Sequence, residues 1–153
     1  MAVTLRPLEP SEVPAYLAAL TPRYVEARVE SGETRAVAEA VASRQLAELT
    51  RAGTPIPGHV FAELVVDGEV AGALWLAPRD ETGEVWWVYD VEVDEHRRGQ
   101  GLGRAAMLLA EDVVRGRGGR ELGLNVFAKN TLARRLYDSL GYAAVSTTMH
   151  KRL

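Results

Sequence analysis

Residues 97–104 read Arg-Arg-Gly-Gln-Gly-Leu-Gly-Arg, three glycines at alternate positions among three arginines. That composition suits an anion. Glycines leave the backbone N–H groups approachable, and a strand, a glycine-rich turn and a helix in succession aim those donors at a phosphate-like group. Arg104 stands in the first turn of the following helix, where Asp or Glu is usual, so the positive helix end is left open. A tight turn with solvated arginines would use the same residues, since a glycine cluster alone is a weak motif. Spacing argues against two common phosphate loops. A dinucleotide-fold fingerprint needs G-x-G-x-x-G on an early strand, whereas Gly99, Gly101 and Gly103 lie two apart and well past the middle of the chain. The Gly-Lys-Ser/Thr of a P-loop is absent.

Other reactive types are few. The 153 residues contain no cysteine, which excludes a thiol nucleophile, thiolate zinc sites and disulfides. His59, His96 and His150 form no pair with metal-ligand spacing, and no Ser-His-Asp pattern is evident. Asp90 and Glu92 alternate along "EVWWVYDVEV" and therefore share one strand face, opposite Val91 and Val93. Such a pair can take protons or simply bind a neighbouring arginine. Tyr137 sits at the edge of an amphipathic helix, "LYDSLGY", beside Leu136 and Leu140, a position that packing alone would explain. Asn130 precedes a helix and is a natural N-cap. Trp75, Trp86, Trp87 and Tyr89 could wall a pocket or fill a core.

The elements that must carry these residues follow from periodicity and punctuation. Residues 3–6 read as a short strand, and Ser11 as the cap of a helix that Thr21-Pro22 breaks. A second helix then runs through Tyr24, Val25 and Val29 to Gly32. Thr34 caps a third, which reaches Gly53, and "TPIPG" is a loop. Residues 60–66 and 70–76 alternate as strands around Asp67-Gly68, whose positive φ suits a tight hairpin. "EVWWVYDVEV" is apolar almost throughout, as expected of a central strand covered on both faces. Apolar positions 102, 105, 106, 109 and 113 mark an amphipathic helix ending at Gly118-Gly119. "ELGLNVF" is a strand, "TLARRLYDSLG" a helix, and "YAAVSTTMHKRL" a last strand. Interleaved helices and strands predict an α/β fold on a mixed central sheet, with residues 1–153 as a single domain.

Composition agrees. With 47% hydrophobic and 25% charged residues the chain is ordinary for a globular protein, and its length lets it bury roughly 70% of its unfolded surface. A formal charge of −3 argues against a general nucleic-acid or anionic-membrane binder, so any anion site is local. The N-terminus lacks a basic flank and an apolar run, and nowhere do about 18 apolar residues follow one another, which makes the cytoplasm the expected location.

Arg98-x-x-Gly101-x-Gly103 directly after "DVEVDE", followed by "NVFAKNTLARRLYDSLGY", resembles the GCN5-related N-acetyltransferases. The two segments span residues 84–142 in that family's order and spacing. The resemblance implies a GNAT-like fold with a splayed central strand and helices on both faces, and transfer of an acetyl group from acetyl-coenzyme A to a small-molecule or peptide amine without a metal. It assigns the cofactor's diphosphate to the backbone of Arg98, Gly99, Gln100, Gly101, Leu102, Gly103 and Arg104, and its pantetheine arm to Val91 and Val93 and to Asn130. Tyr137 matches the tyrosine that protonates the departing thiolate. Some relatives carry a basic glutamate where this chain has Asn125, which cannot accept a proton. Asp90, with Glu92 behind it, is then the expected base, with His59 and His150 as further candidates. Tyr16 and Tyr24 fall in helices that cover the acceptor side, and the family's habit of pairing through exposed strands allows a homodimer. A coenzyme-binding sensor without turnover is the alternative.

Overall fold

The computed structural model describes residues 1–51 and 54–153. A five-stranded sheet runs in the order β1 (Val3–Pro7), β4 (Val60–Val66), β5 (Glu69–Pro78), β6 (Val85–Val93) and β7 (Glu121–Leu124). The first three pairings are antiparallel and the last is parallel, so the sheet is mixed as expected. A two-stranded ribbon of β2 (Thr50–Arg51) and β3 (Thr54–Pro55) stands apart. The β4–β5 hairpin turns through Asp67 at φ 51 and Gly68 at φ 87, the two positive dihedrals that a turn matched to strand twist requires.

Helices cover both faces. On one, α1 (Val13–Glu30) buries Val13 and Leu17 against Phe61 and Trp75, and α2 (Arg35–Leu49) packs Ala38 and Ala42 against Val25 of α1. On the other, α3 (Leu102–Gly116) inserts Met107, Ala110 and Val114 among Leu74, Leu76, Trp86 and Val88, while Leu102 and Ala106 meet Leu64, Val66 and Ala71. α4 (Thr131–Ser139) lies on this second face, with Tyr137 packed on the same cluster. Leu64, Leu74, Leu76, Leu102 and Met107 are fully enclosed, and truncating any such residue to Ala costs about 2–5 kcal/mol.

Five expectations are corrected. Pro22 does not break the first helix: α1 runs through it from Val13 to Glu30. The missing proline N–H removes one bond, but burial of Val13 and Leu17 against the sheet before it and of Val25 against α2 after it outweighs that loss, and Thr21 Oγ1 donates back to Leu17 O at 2.9 Å. Ser11 caps nothing; a 3-10 turn at Pro10–Glu12 leads into α1, and Glu9 N–H donates to the Glu12 carboxylate at 2.7 Å. The third helix ends at Leu49, and the expected stop at Gly53 lies outside the described residues. β7 stops at Leu124, and residues 143–153 form no strand but lie exposed without regular structure, because strand-forming side chains do not supply the neighbour that a strand requires. Thr34 caps α2 as expected, accepting from Val37 N–H at 3.4 Å. No described helix is long and apolar enough to cross a membrane.

Candidate active site

The sheet opens at its centre. β6 pairs with β5 along its whole length but with β7 only from Val85 to Val88. From Tyr89 to Val93, the β6 edge turned away from β5 has no strand partner among the described residues. At the same point β6 carries a bulge: Leu76 pairs with Val88 and Trp75 with Asp90, so Tyr89 is an extra residue. One extra residue inverts a strand's facing. Trp86 and Val88 face α3, and past the bulge Val91 and Val93 take over that face. Asp90 and Glu92 thereby turn to the α1 side, still opposite Val91 and Val93 as period two requires.

β6 leads into the glycine turn. After a 3-10 turn at Glu95–Arg97, Gly99 and Gly101 adopt φ 76 and 77, and Gly101 is the left-handed N-cap of α3. Gly103 has a different task, since a Cβ there would stand 3.1 Å from Leu136 Cδ2 of α4. None of the amides of residues 99–104 hydrogen bonds within the chain among the described residues, and the first turn of α3 contains no acid. Gln100 is exposed, and buried Leu102 anchors the loop. Arg98 folds back, its Nε donating to Val93 O at 3.2 Å, while Arg104 donates to Ser139 Oγ of α4. The turn is therefore a concave row of backbone donors at a positive helix end, fit to receive a diphosphate. The free edge of β6, strand-like and unpaired, fits a chain bearing amide groups.

Beside that edge stand the ionisable groups. Asp90 is largely buried, with a side-chain exposure of 10%. Its Oδ2 accepts a hydrogen bond from the Tyr16 hydroxyl and lies 3.5 Å from Arg23, whose guanidinium also pairs with Glu92. Burial raises the Asp90 carboxyl above its ordinary range, against the lowering pull of the Tyr16 hydrogen bond and the Arg23 charge. Tyr137 is half-buried across the splay, packed edge-on against Tyr142 at 6.0 Å. Burial raises its hydroxyl too, and the charge of Asp90 adds to that shift, so the two groups interact electrostatically. Asn130 caps α4, Oδ1 accepting from Ala133 N–H at 3.2 Å, so its Nδ2 is the end left for a ligand. Asn125 is exposed at the end of β7.

The remaining candidates divide. His59 Nδ1 accepts from Trp75 Nε1–H at 3.0 Å and its ring stacks on Tyr89, while burial lowers its basicity. That fixes the neutral tautomer with the proton on Nε2. Trp75 joins Phe61 and Tyr16 in the aromatic wall beneath α1, whereas Trp86 belongs to the α3 core and Trp87 lies under the Arg79 guanidinium. Tyr24 is structural, its hydroxyl bonded to Gln45 and Arg28. His150 is exposed on the C-terminal segment. Sequence reasoning missed Arg23. It follows Tyr16 by seven residues, two turns along one helix face, but a break at Pro22 put the two on separate helices. A cleft of about 570 Å³ between α1 and the sheet is lined by Tyr16, Ala19, Arg23, Gly72, Ala73 and Glu92 among others.

Comparison with known proteins places this geometry. YycN of Bacillus subtilis (strain 168), described as an uncharacterized N-acetyltransferase, is 30% identical over 156 residues, covering all of both chains. Its crystal structure superposes with a TM-score of 0.89 at 28% identity, over 99% of each chain. YdgE of the same organism, also described as an uncharacterized N-acetyltransferase, is 29% identical over all of this chain and 99% of its own. AAC(6')-Iy, solved in complex with the bisubstrate analog CoA-S-monomethyl-acetylneamine, shares the fold at a TM-score of 0.61 and 12% identity, over 100% of this chain and 99% of its own. The acetyltransferase (GNAT) family profile matches residues 21–142, so the chain belongs to that family and is an acetyl-coenzyme A-dependent N-acetyltransferase.

Proposed function

We propose that the protein acetylates a primary amine by direct attack, with Asp90 as proton acceptor and Tyr137 as proton donor. One observation carries the reading: at the open edge of β6, next to the donor row of residues 99–104, Asp90 Oδ1 has no partner among the described residues while Oδ2 is held. Acetyl-coenzyme A, when bound, supplies an acetyl group activated as a thioester. The amides of residues 99–104 hold its diphosphate, with the positive end of α3 behind them. The backbone of Val91 to Val93, with Asn130 Nδ2, holds the arm. The N–H groups of this edge also stabilise negative charge on a thioester oxygen, a donor role worth about 2.7–4 kcal/mol in other acyl transfers.

Protons then have defined carriers. An amine arrives as an ammonium ion, and Asp90 Oδ1 takes one proton, a task suited to a carboxylate whose affinity for protons burial has raised. The N–C bond forms as the C–S bond breaks. Tyr137 Oη donates to the sulfur, and the second proton that the nitrogen sheds as the amide forms restores the tyrosine through solvent; burial keeps this hydroxyl protonated, and a buried thiolate is more basic for the same reason. With no cysteine in the chain, the acetyl group has no thiol on which to pause.

Thiol release from acetyl-coenzyme A, measured against a diamine, an aromatic amine, an amino sugar and a peptide N-terminus, tests this. At least one amine should stimulate release, Asp90→Asn should lower kcat about 10²-fold or more, and Tyr137→Phe should lower it without weakening coenzyme binding. Tight coenzyme binding with no amine-dependent release would instead identify a sensor.

A further inference from the structure

Asp90 is not simply a buried carboxylate. Both of its partners come from α1 and both address the same oxygen: the Tyr16 hydroxyl donates to Oδ2, and an Arg23 nitrogen lies 3.5 Å from Oδ2. A carboxylate rotates readily about its terminal bond, whose preferences are broad and two-fold. Left unheld, either oxygen could face the open edge of β6. With Oδ2 bound twice, Oδ1 alone is presented. Resting on the reading of Asp90 as proton acceptor, we infer that Tyr16 and Arg23 are positioning residues, which fix the Asp90 carboxylate in one orientation and keep it ionised in a buried site.

The surroundings fit that role. Tyr16 is itself held, its ring edge-on to Phe61 at 5.5 Å. Arg23 is held by Glu92, so its charge is shared between two carboxylates and Asp90 is not fully neutralised. Charged and titratable groups approach Asp90 from three elements: Tyr16 and Arg23 on α1, Tyr137 on α4, and Glu92 on β6 itself. From β5 comes Trp75, opposite in register, with His59 behind it. Of these, only the α1 pair favours the ionised form. Both lower the proton affinity that burial raises, and the balance sets the pH at which Asp90 can accept a proton.

The test uses the full chain and a readout independent of the acceptor. In protein carrying 13C at the aspartate carboxyl carbons, the Asp90 signal is assigned by its loss in Asp90→Asn, and its titration is followed by NMR. Tyr16→Phe keeps the ring and removes only the hydroxyl, so the Asp90 midpoint should move to higher pH. Arg23→Met should move it the same way and Arg23→Lys should move it less. With the amine that wild type turns over fastest, Tyr16→Phe should lower kcat roughly 10–100-fold at neutral pH, shift the acidic limb upward and leave the acetyl-coenzyme A KM near wild type. A merely structural tyrosine would lower Tm and leave both midpoint and limb in place, which overturns the inference. An unmoved midpoint alongside an inactive Asp90→Asn would sink the positioning role and spare the base. A moved midpoint with an active Asp90→Asn would do the reverse.

Discussion

Gly101 offers the sharpest test of the donor row, because two substitutions there separate backbone strain from charge. Its φ is +77, and a Cβ would meet no atom within 4 Å. Gly101→Ala therefore adds strain without a clash, about 1–2 kcal/mol for an L-residue in the left-handed region, which lowers Tm by roughly 2–8 °C in a chain of this size. Gly101→Asp tolerates that conformation at least as well and adds a negative charge at the N-cap of α3. Placed about 4 Å from a bound diphosphate in this exposed loop, that charge costs about 1–2 kcal/mol, or roughly 5- to 30-fold in Kd. Calorimetric titration with acetyl-coenzyme A at low salt and again near about half-molar salt, where the Debye length falls to roughly 4–5 Å, should show the Asp variant weaker than the Ala variant, with the gap narrowing in salt. Equal affinities for the two variants at low salt would mean that no anion sits at this turn, and the assignment of residues 99–104 would fall with it.

Two further outcomes follow from the same geometry. Gly72 lies in β5 where a Cβ would stand 2.0 Å from the Glu92 carbonyl oxygen, so Gly72→Ala must part β5 from β6; a stability loss of about 1–3 kcal/mol or more is expected by thermal melting, and an unchanged Tm would contradict the close approach. Asp90→Asn should stabilise the protein at neutral pH while it lowers activity. The sign follows from burial, which raises the folded carboxyl above its unfolded value: folding then favours the protonated form, and stability is lost as pH rises through the folded value. Asn escapes that loss, and Arg23 keeps Glu92 as its partner. The variant should melt above wild type near pH 8, and the gap should close below about pH 4, where both side chains are neutral. Wild type and variant melting together at pH 8 would contradict the raised carboxyl.

Much of the site was legible because it is made of backbone. Glycines at 99 and 101, an uncapped basic helix start and the strand before them are local features, and the positive φ values and unpaired amides are where such a pattern puts them. The Asp67-Gly68 hairpin was legible for the same reason. Less could be read where a decision depends on distant residues. Whether Pro22 ends a helix depends on how much apolar surface the helix buries on either side, and the anchors at Val13, Leu17 and Val25 decide it only once the sheet and α2 are present. Whether residues 143–153 become a strand depends on a neighbour that the segment's own residues do not specify.

The bulge at Tyr89 shows most directly how such a distant decision reaches function. Strict alternation from Trp86 and Val88 would carry Asp90 into the apolar core beneath α3, where a lone carboxylate has no partner. The extra residue turns it instead toward α1, onto the hydroxyl of Tyr16 and beside Arg23. Those two partners share a helix face only because α1 passes through Pro22 unbroken. The same bulge falls where β6 and β7 part, since the last β6 residue paired to β7 is Val88. One inserted residue thus marks where the edge of β6 opens and gives Asp90 its partners, which is why the proposed base and the open edge occur together in this sheet.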